Sequence, residues 1–512
     1  MRLGRLVDQT KRLDTYYHAH SSPILYQAPS TTPEATIPSL FGRTTVRSGL
    51  TTLLPAPFLV PAVLEALKDS GQYKDITEVV PGEADLYCAK YLNRYGGTVL
   101  TGDSDLLVHD IGLGGAVGFF KEIQGSSGTF HGEIYHPAAI ADRLGLPKSH
   151  KLHSLAFEMF MDHHGTFPQL LARAKNLEAI KSYGSMFEDF LKGYVTLPSD
   201  TKTSDPRSAE ILLVLRQLDP RISEYVLQFP SLAEIAGQSP APHAIESFAA
   251  HVFLPFLLDC PIRTNAWEMS TATRQLAYGL INLIVPESEQ KFSIFEHRKQ
   301  QDKSSGRELE LPATCDVPHA CTAIVKLIDQ LKESIPQLST ADLWTALAVY
   351  QDVEWSRANA KDILSRAVTQ RLFELEDKTS PQQRFTWDLI QLFAQIQASY
   401  YSFRILNQIA SLLVSYDSLG GRQEPITLLY QRLASLPSLN VVGHIGYIPS
   451  IIRRIEHARM LAVAHEMLGV VDQPKSPQHS GKKKRRKRDP NVLDPLAGRG
   501  RSNNPFELLV VE

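Results

Sequence analysis

Four carboxylates sit in two short clusters on either side of one helical run: Glu83 and Asp85 in "PGEADLY", Asp103 and Asp105 in "TGDSDLL". The second pair directly follows "TVLT", a short β-branched run that reads as a strand. Where backbone stays extended, positions i and i+2 point to the same side, so this spacing converges two carboxylates. Glu83 and Asp85 follow "ITEVVPG" in the same way, before their helix is fully wound. Parallel α/β sheets carry their functional residues beyond the carboxyl ends of strands. Two adjacent strand ends would then present four acids, which raise one another's pKa and destabilise the fold unless a cation compensates them. Hard carboxylate oxygens without Cys or His favour Mg2+ or Mn2+ over zinc. Acids in a first helical turn are also stabilised by the helix dipole alone. For Glu83 and Asp85 the two readings stand side by side.

The elements that must position these acids follow from periodicity. Residues 1–19 read as a helix with Leu3, Leu6, Val7 and Leu13 among Arg2, Arg5, Lys11 and Arg12, and 20–47 as a Pro- and Ser/Thr-rich loop. From about 51 to 135 helical and strand-like runs alternate: "PFLVPAVLEALKDSG" as a helix, "DITEVV" as a strand, "EADLYCAKYLNRYG" as a helix, "GTVLTGDSD" as a strand, then "GAVGFFKEI". Such alternation predicts a parallel α/β sheet. Beyond about 137 nearly every segment has helical periodicity, including "TADLWTALAVYQDVEW" and "DLIQLFAQIQASYYSFRILNQIASLLVSY".

The stretch "PGEADLYCAKYLNRYGGTVLTGDSDLL" resembles the internal region of the XPG/flap-endonuclease family, with its acid-rich helix start followed by a strand ending in D-S-D-x-L. The following "YHPAAIADRLGLPKSHKLHSLAFEMFMDHHG" resembles the helix-turn-helix region of that family, in which Asp162 matches a further metal-site Asp. The resemblance covers about 50–185, and the long helical remainder looks most like the asteroid-type branch. It implies a PIN-like α/β nuclease fold and metal-dependent phosphodiester hydrolysis. Glu83, Asp85, Asp103, Asp105 and Asp162 would be the catalytic and metal-holding acids, with Mg2+ or Mn2+ as cofactor. Two of the seven family acids have no counterpart. The start "MRLGRLVDQTKRL" resembles the segment just after the second of them, so the N-terminal part of the nuclease domain is expected to be lacking. Asp162 is followed by His163 and His164 in place of Tyr, and "TFPQLLARAKN" stands where relatives carry a glycine-rich hairpin.

Composition bounds the rest. The 512 residues are 43% hydrophobic and 21% charged, with no apolar run long enough to span a bilayer and no secretory leader pattern. Four cysteines in a chain this long predict reduced thiols in an intracellular compartment. Net charge is −2, yet Lys482, Lys483, Lys484, Arg485, Arg486, Lys487 and Arg488 contribute +7, leaving −9 for everything else. The body is acidic and the tail basic. That run, in a polar and turn-rich segment, predicts a disordered tail serving nuclear import or nucleic-acid contact, or a merely solvated charged tail. "GLGGAVG" at 112–118 has Val117 at the third position of G-x-G-x-x-G and reads as a turn between strands. Cys315, His319 and Cys321 lack a zinc spacing, Tyr400, Tyr401 and Phe403 read as core, and one of His163 and His164 is expected to pack.

The sequence therefore predicts a helix and arch-like loop over 1–50, a PIN-like parallel-sheet nuclease domain over 51–190, an α-helical domain over 191–471 and a disordered basic tail over 472–512. Two functions remain open. One is an asteroid-like, structure-specific DNA endonuclease in nuclear DNA repair, acting on branched or single-stranded DNA. The other is a noncatalytic pseudo-nuclease whose helical half binds protein or RNA, as in related post-transcriptional regulators. Neither involves a membrane.

Overall fold

In the computed structural model the described residues are 2–19, 57–126, 129–195, 206–237, 250–302, 305–335, 338–376, 386–416, 420–439 and 448–470. The whole 20–47 loop, the whole 472–512 tail and its 482–488 basic run lie outside them. Residues 1–469 cluster as one unit and 470–512 as another.

The β-branched run after Gly96 forms β1 (Gly97–Thr101), which pairs in parallel with β2 (Gly115–Phe119) from Gly97↔Gly115 to Thr101↔Phe119. A hairpin of β3 (Gln124–Ser126) and β4 (Thr129–His131) intervenes before β5 (Ile134–Tyr135), which pairs antiparallel with β2. The sheet order is β1-β2-β5, with β2 buried along its whole length and β1 at an edge. The "GLGGAVG" stretch is a turn running into β2. At Gly115 a Cβ would stand 2.3 Å from the Ile111 carbonyl oxygen, a position only glycine can fill.

Helix α1 (Arg2–Ala19) buries Leu6, Val7 and Leu13 and leaves Arg5, Lys11 and Arg12 exposed. Helix α2 (Leu59–Asp69) and helix α3 (Ala84–Tyr95) follow their expected spans. Helix α3 buries Ala89 and Leu92 against Leu106, Ile111, Val117 and Phe119, and stops at Gly96, whose φ of 68° suits glycine. The expected strand "DITEVV" does not form. Lys74–Ile76 is a single 3₁₀ turn, and the chain from 77 to 80 carries no ladder bond, with Thr77, Val79 and Val80 half-buried and Glu78 exposed. Valine-rich sequence alone does not make a strand without a partner.

The helix-turn-helix expectation is met by α4 (Pro137–Leu144) and α5 (Lys151–Met161), and "TFPQLLARAKN" supplies α6 (Phe167–Ala174), closed by a Thr166/Gln169 capping box. Helices α7 (Leu177–Ser182) and α8 (Ser185–Val195) complete this half. His163 and His164 are both exposed; neither packs.

The remainder is mainly helical. Helices α9 (Pro206–Leu215), α10 (Pro220–Val226) and α11 (Pro230–Ile235) precede α12 (Thr271–Ile281), α13 (Val317–Ser334), α14 (Thr340–Ala358), α15 (Leu364–Glu376) and α16 (Trp387–Val414). Helix α17 (Gln423–Leu433), α18 (Ile448–His457) and α19 (Met460–Met467) close it. Helix α16 is buried around its circumference, Gln391, Gln395 and Gln397 included, and is the axis on which α12, α14 and α17 pack, with Tyr400, Tyr401 and Phe403 in the core. One feature departs from the helical expectation. A three-stranded sheet of β6 (Ala250–Phe253), β7 (Ser293–His297) and β8 (Arg307–Glu310) packs here, with β6 and β7 parallel. A mixed α/β region with small parallel pairings followed by a large helical region is the fold class the sequence predicts. No helix among the described residues is long and apolar enough to cross a membrane.

Candidate acidic site at the end of the first strand

The turn after β1 is built by side chains folding back onto the backbone. Thr101 Oγ1 accepts from the Asp103 amide at 3.0 Å, and Asp103 Oδ1 accepts from the Asp105 amide at 3.3 Å. The chain is therefore no longer extended at Asp105, which opens a 3₁₀ turn (Asp105–Leu107) anchored by the buried Leu106. The carboxylates are brought together by an Asx-type turn, not by strand alternation. On the neighbouring element Glu83 occupies the N-cap position of α3 and Asp85 its first turn. Because "DITEVV" is not a strand, these two belong to a helix N-terminus, not to a second strand end.

Asp85, Asp103 and Asp105 share one electrostatic field. Partial burial pushes the Asp85 carboxyl above its ordinary range, and Asp103 and Asp105 push it further against the opposing pull of His109. Asp105 is raised by burial and by Asp103, with His109 and Arg5 of α1 opposing. Glu83 is exposed. Asp162, at the C-cap of α5, is held by Arg173 of α6 at 2.8 Å and by the His164 amide at 3.1 Å, and the guanidinium keeps its carboxyl below the usual range. Arg173 also binds the buried Glu158 at 2.8 Å.

Two residues without a sequence signal complete the site. His109, four positions beyond Asp105 and 7% exposed, directs Nδ1 at the Tyr194 carbonyl oxygen at 3.2 Å. A carbonyl accepts only, so Nδ1 carries the hydrogen and Nε2 is the acceptor. Burial lowers the His109 pKa despite the Tyr194 carbonyl, Asp85 and Asp105, and the ring is neutral at pH 7. Burial, with Asp105 and Asp103, raises the Tyr194 phenol.

Hard carboxylate donors pushed toward protonation by one another fit a hard divalent cation in chemistry. They fit it incompletely in arrangement. Among the described residues no three His, Cys, Asp or Glu side chains stand close enough to hold one ion, and Arg173 takes the place of a cation at Asp162.

A family model described as XPG domain containing matches residues 55–311, half of the chain. The match takes in the acidic turn, the helix-turn-helix segment and the β6-β7-β8 sheet. No curated protein and no solved structure matches the chain.

Proposed function

We propose that this chain, which belongs to the XPG-domain-containing family, is an asteroid-like, structure-specific nuclease that hydrolyses nucleic-acid phosphodiesters with Mg2+ or Mn2+. The observation that carries this reading is the trio Asp85, Asp103 and Asp105, whose mutual repulsion with burial raises the proton affinity of Asp85 and Asp105 beside the end of β1. Asp85, Asp103 and Asp105 would each supply a carboxylate to the ion, which must draw them closer than they stand here; Glu83, and Asp162 once released from Arg173, are the further acids of the family pattern. When bound, a divalent ion supplies Lewis-acid activation of water and neutralises phosphate charge. The neutral His109, fixed through Nδ1, offers Nε2 as a proton acceptor within electrostatic reach of Asp85 and Asp105. The substrate class is branched or single-stranded DNA, and the 482–488 basic run supports a nuclear location and added backbone affinity.

A second reading is favoured by one observation: Arg173 neutralises Asp162 and ties it to Glu158. A scaffold that binds RNA or protein without cleaving it would tolerate that pairing. Labelled flap, splayed-arm and single-stranded DNAs, with matching RNAs, are incubated with Mg2+ or Mn2+ and the chain or its Asp103→Asn/Asp105→Asn form. Metal-dependent cutting that falls by about 10²-fold or more in the mutant supports the nuclease. No cutting by either, with partner binding unchanged in the mutant, supports the scaffold.

A further inference from the structure

Helix α3 carries the acidic residue Asp85 in its first turn and an aromatic face along its length, Tyr87, Tyr91 and Tyr95 at i, i+4 and i+8. The last two are 63% and 64% exposed, an unusual position for two large rings. Their centroids lie 4.9 Å apart, and the Arg94 guanidinium lies 5.2 Å over the Tyr95 ring. The rings do not stand on open surface. They line a cavity of about 780 Å³ together with the edge of β1, Gly97 to Val99, and with Leu92 and Leu212. The outer edge of β1 has no partner strand among the described residues.

The charge of this groove runs against that of the body. Its lining includes Lys90, Arg94 and Arg216 and, as its acid, Glu78, which stands 4.0 Å from Arg216. A net positive, aromatic-faced groove in a body of net charge −9 selects a polyanion with flat apolar faces. Single-stranded nucleic acid has both features: bases stack on exposed aromatic rings, and phosphates follow basic side chains. At 1.5 Å rise per residue, Tyr91 and Tyr95 lie roughly 9 to 15 Å along α3 from Asp85, a separation of a few nucleotides.

We infer that the groove between α3 and the β1 edge binds single-stranded nucleic acid, with Tyr91 and Tyr95 as the stacking platform and Arg94 as a phosphate contact. Its role as the track that leads a strand to the acidic trio rests on the nuclease reading; the binding itself does not. An extended peptide added to the β1 edge is the competing occupant, and it would gain little from exposed tyrosines or positive charge.

The test is fluorescence anisotropy of labelled oligo-dT and oligo-U, about 20 nucleotides long, with EDTA present so that binding is read without cleavage. The full chain is compared with Tyr91→Ala/Tyr95→Ala, Tyr91→Phe/Tyr95→Phe and Arg94→Gln. Each is also made with the 482–488 bases replaced by Gln, so that the tail does not mask the groove. Alanine is the better helix former, so α3 survives the change, which circular dichroism checks. The inference expects the alanine pair to weaken binding roughly tenfold or more and the phenylalanine pair to retain it. Arg94→Gln should reduce the salt slope of log K by about 0.7. Preference between the two oligonucleotides identifies DNA or RNA as the strand. Equal affinity of wild type and the alanine pair overturns the inference, as does absence of oligonucleotide binding, which leaves the β1 edge to a peptide. Tyrosine-dependent binding without any cleavage would uphold the groove and sink the nuclease; cleavage with tyrosine-independent binding would do the reverse.

Discussion

Asp103 and Asp105 are legible because a β-branched run stops at Thr101 and two acids follow at once. What the spacing does not reveal is how they meet, since the Asx-type turn at Asp103 replaces the extended geometry. His109 and Arg5 are invisible in sequence. One reads as a loop histidine, and the other lies on a helix whose docking depends on tertiary contacts such as the Gln300 amide donating to Thr10 Oγ1 at 3.1 Å. The raised pKa values of Asp85 and Asp105 set a direction for stability. Each binds its proton more tightly folded than unfolded, so the folded state holds more protons as pH rises through the carboxylate range. Stability therefore falls over that window and the penalty persists at neutral pH. Asp105→Asn is expected to raise Tm by about 1 °C at neutral pH in EDTA. Mg2+ should raise the Tm of the wild type and leave that of Asp103→Asn/Asp105→Asn unchanged. Differential scanning fluorimetry measures both, and a lower Tm for Asp105→Asn in EDTA would remove repulsion as the reason for the shifts.

At the level of elements, amphipathic and largely buried helices are read well: α3, α5, α14 and α16 appear where periodicity puts them. The β6-β7-β8 sheet is not. In "SIFEH" the inward positions include Glu296, and a glutamate reads as solvent-facing. Its burial is possible because Arg274 of α12 binds Oε1 at 2.6 Å while Arg298, two positions along, binds Oε2 at 2.5 Å, so that one of the two partners comes from another element. Burial alone would raise the Glu296 pKa, but the two guanidinium groups outweigh it and hold it at about 2. A folded value below the unfolded one stabilises the protein above the ordinary glutamate range of about 4.5 and is lost as pH falls toward 2. Glu296→Gln leaves the buried Arg274 without a carboxylate, while Arg298 keeps Glu268, and should cost about 3–5 kcal/mol at neutral pH. It should also flatten the acid limb of stability between those pH values. Urea unfolding at neutral and acid pH checks both; an unchanged neutral midpoint would show that the pairing carries no net stability.

At the scale of the whole chain, the nuclease-like region and the helical region are joined through specific contacts. Gly82, just before the acids, donates to Ser223 Oγ of α10 at 3.0 Å. Arg404 of α16 holds Asp219 in a two-point grip at 2.6 and 2.7 Å and also binds Glu65 of α2, whose second oxygen accepts from the Leu439 amide at 2.8 Å. No sequence pattern announces such a junction, because its members are separated by hundreds of positions. Arg404→Leu strands the buried Asp219 and should destabilise by about 3–5 kcal/mol. Because the lost contact to Glu65 links the two regions, fluorescence and far-UV transitions in urea should also separate in that variant. Coincident transitions at an unchanged midpoint would mean the junction is held by apolar packing alone.

The nuclease reading requires Asp85, Asp103 and Asp105 to gather around a divalent ion that they do not enclose as they stand, and electron paramagnetic resonance of Mn2+ titrated into the chain tests this without needing a substrate. Saturable loss of the free-ion signal is expected with the wild type and none above background with Asp103→Asn/Asp105→Asn. Equal uptake by both proteins, or no uptake by the wild type, would contradict it.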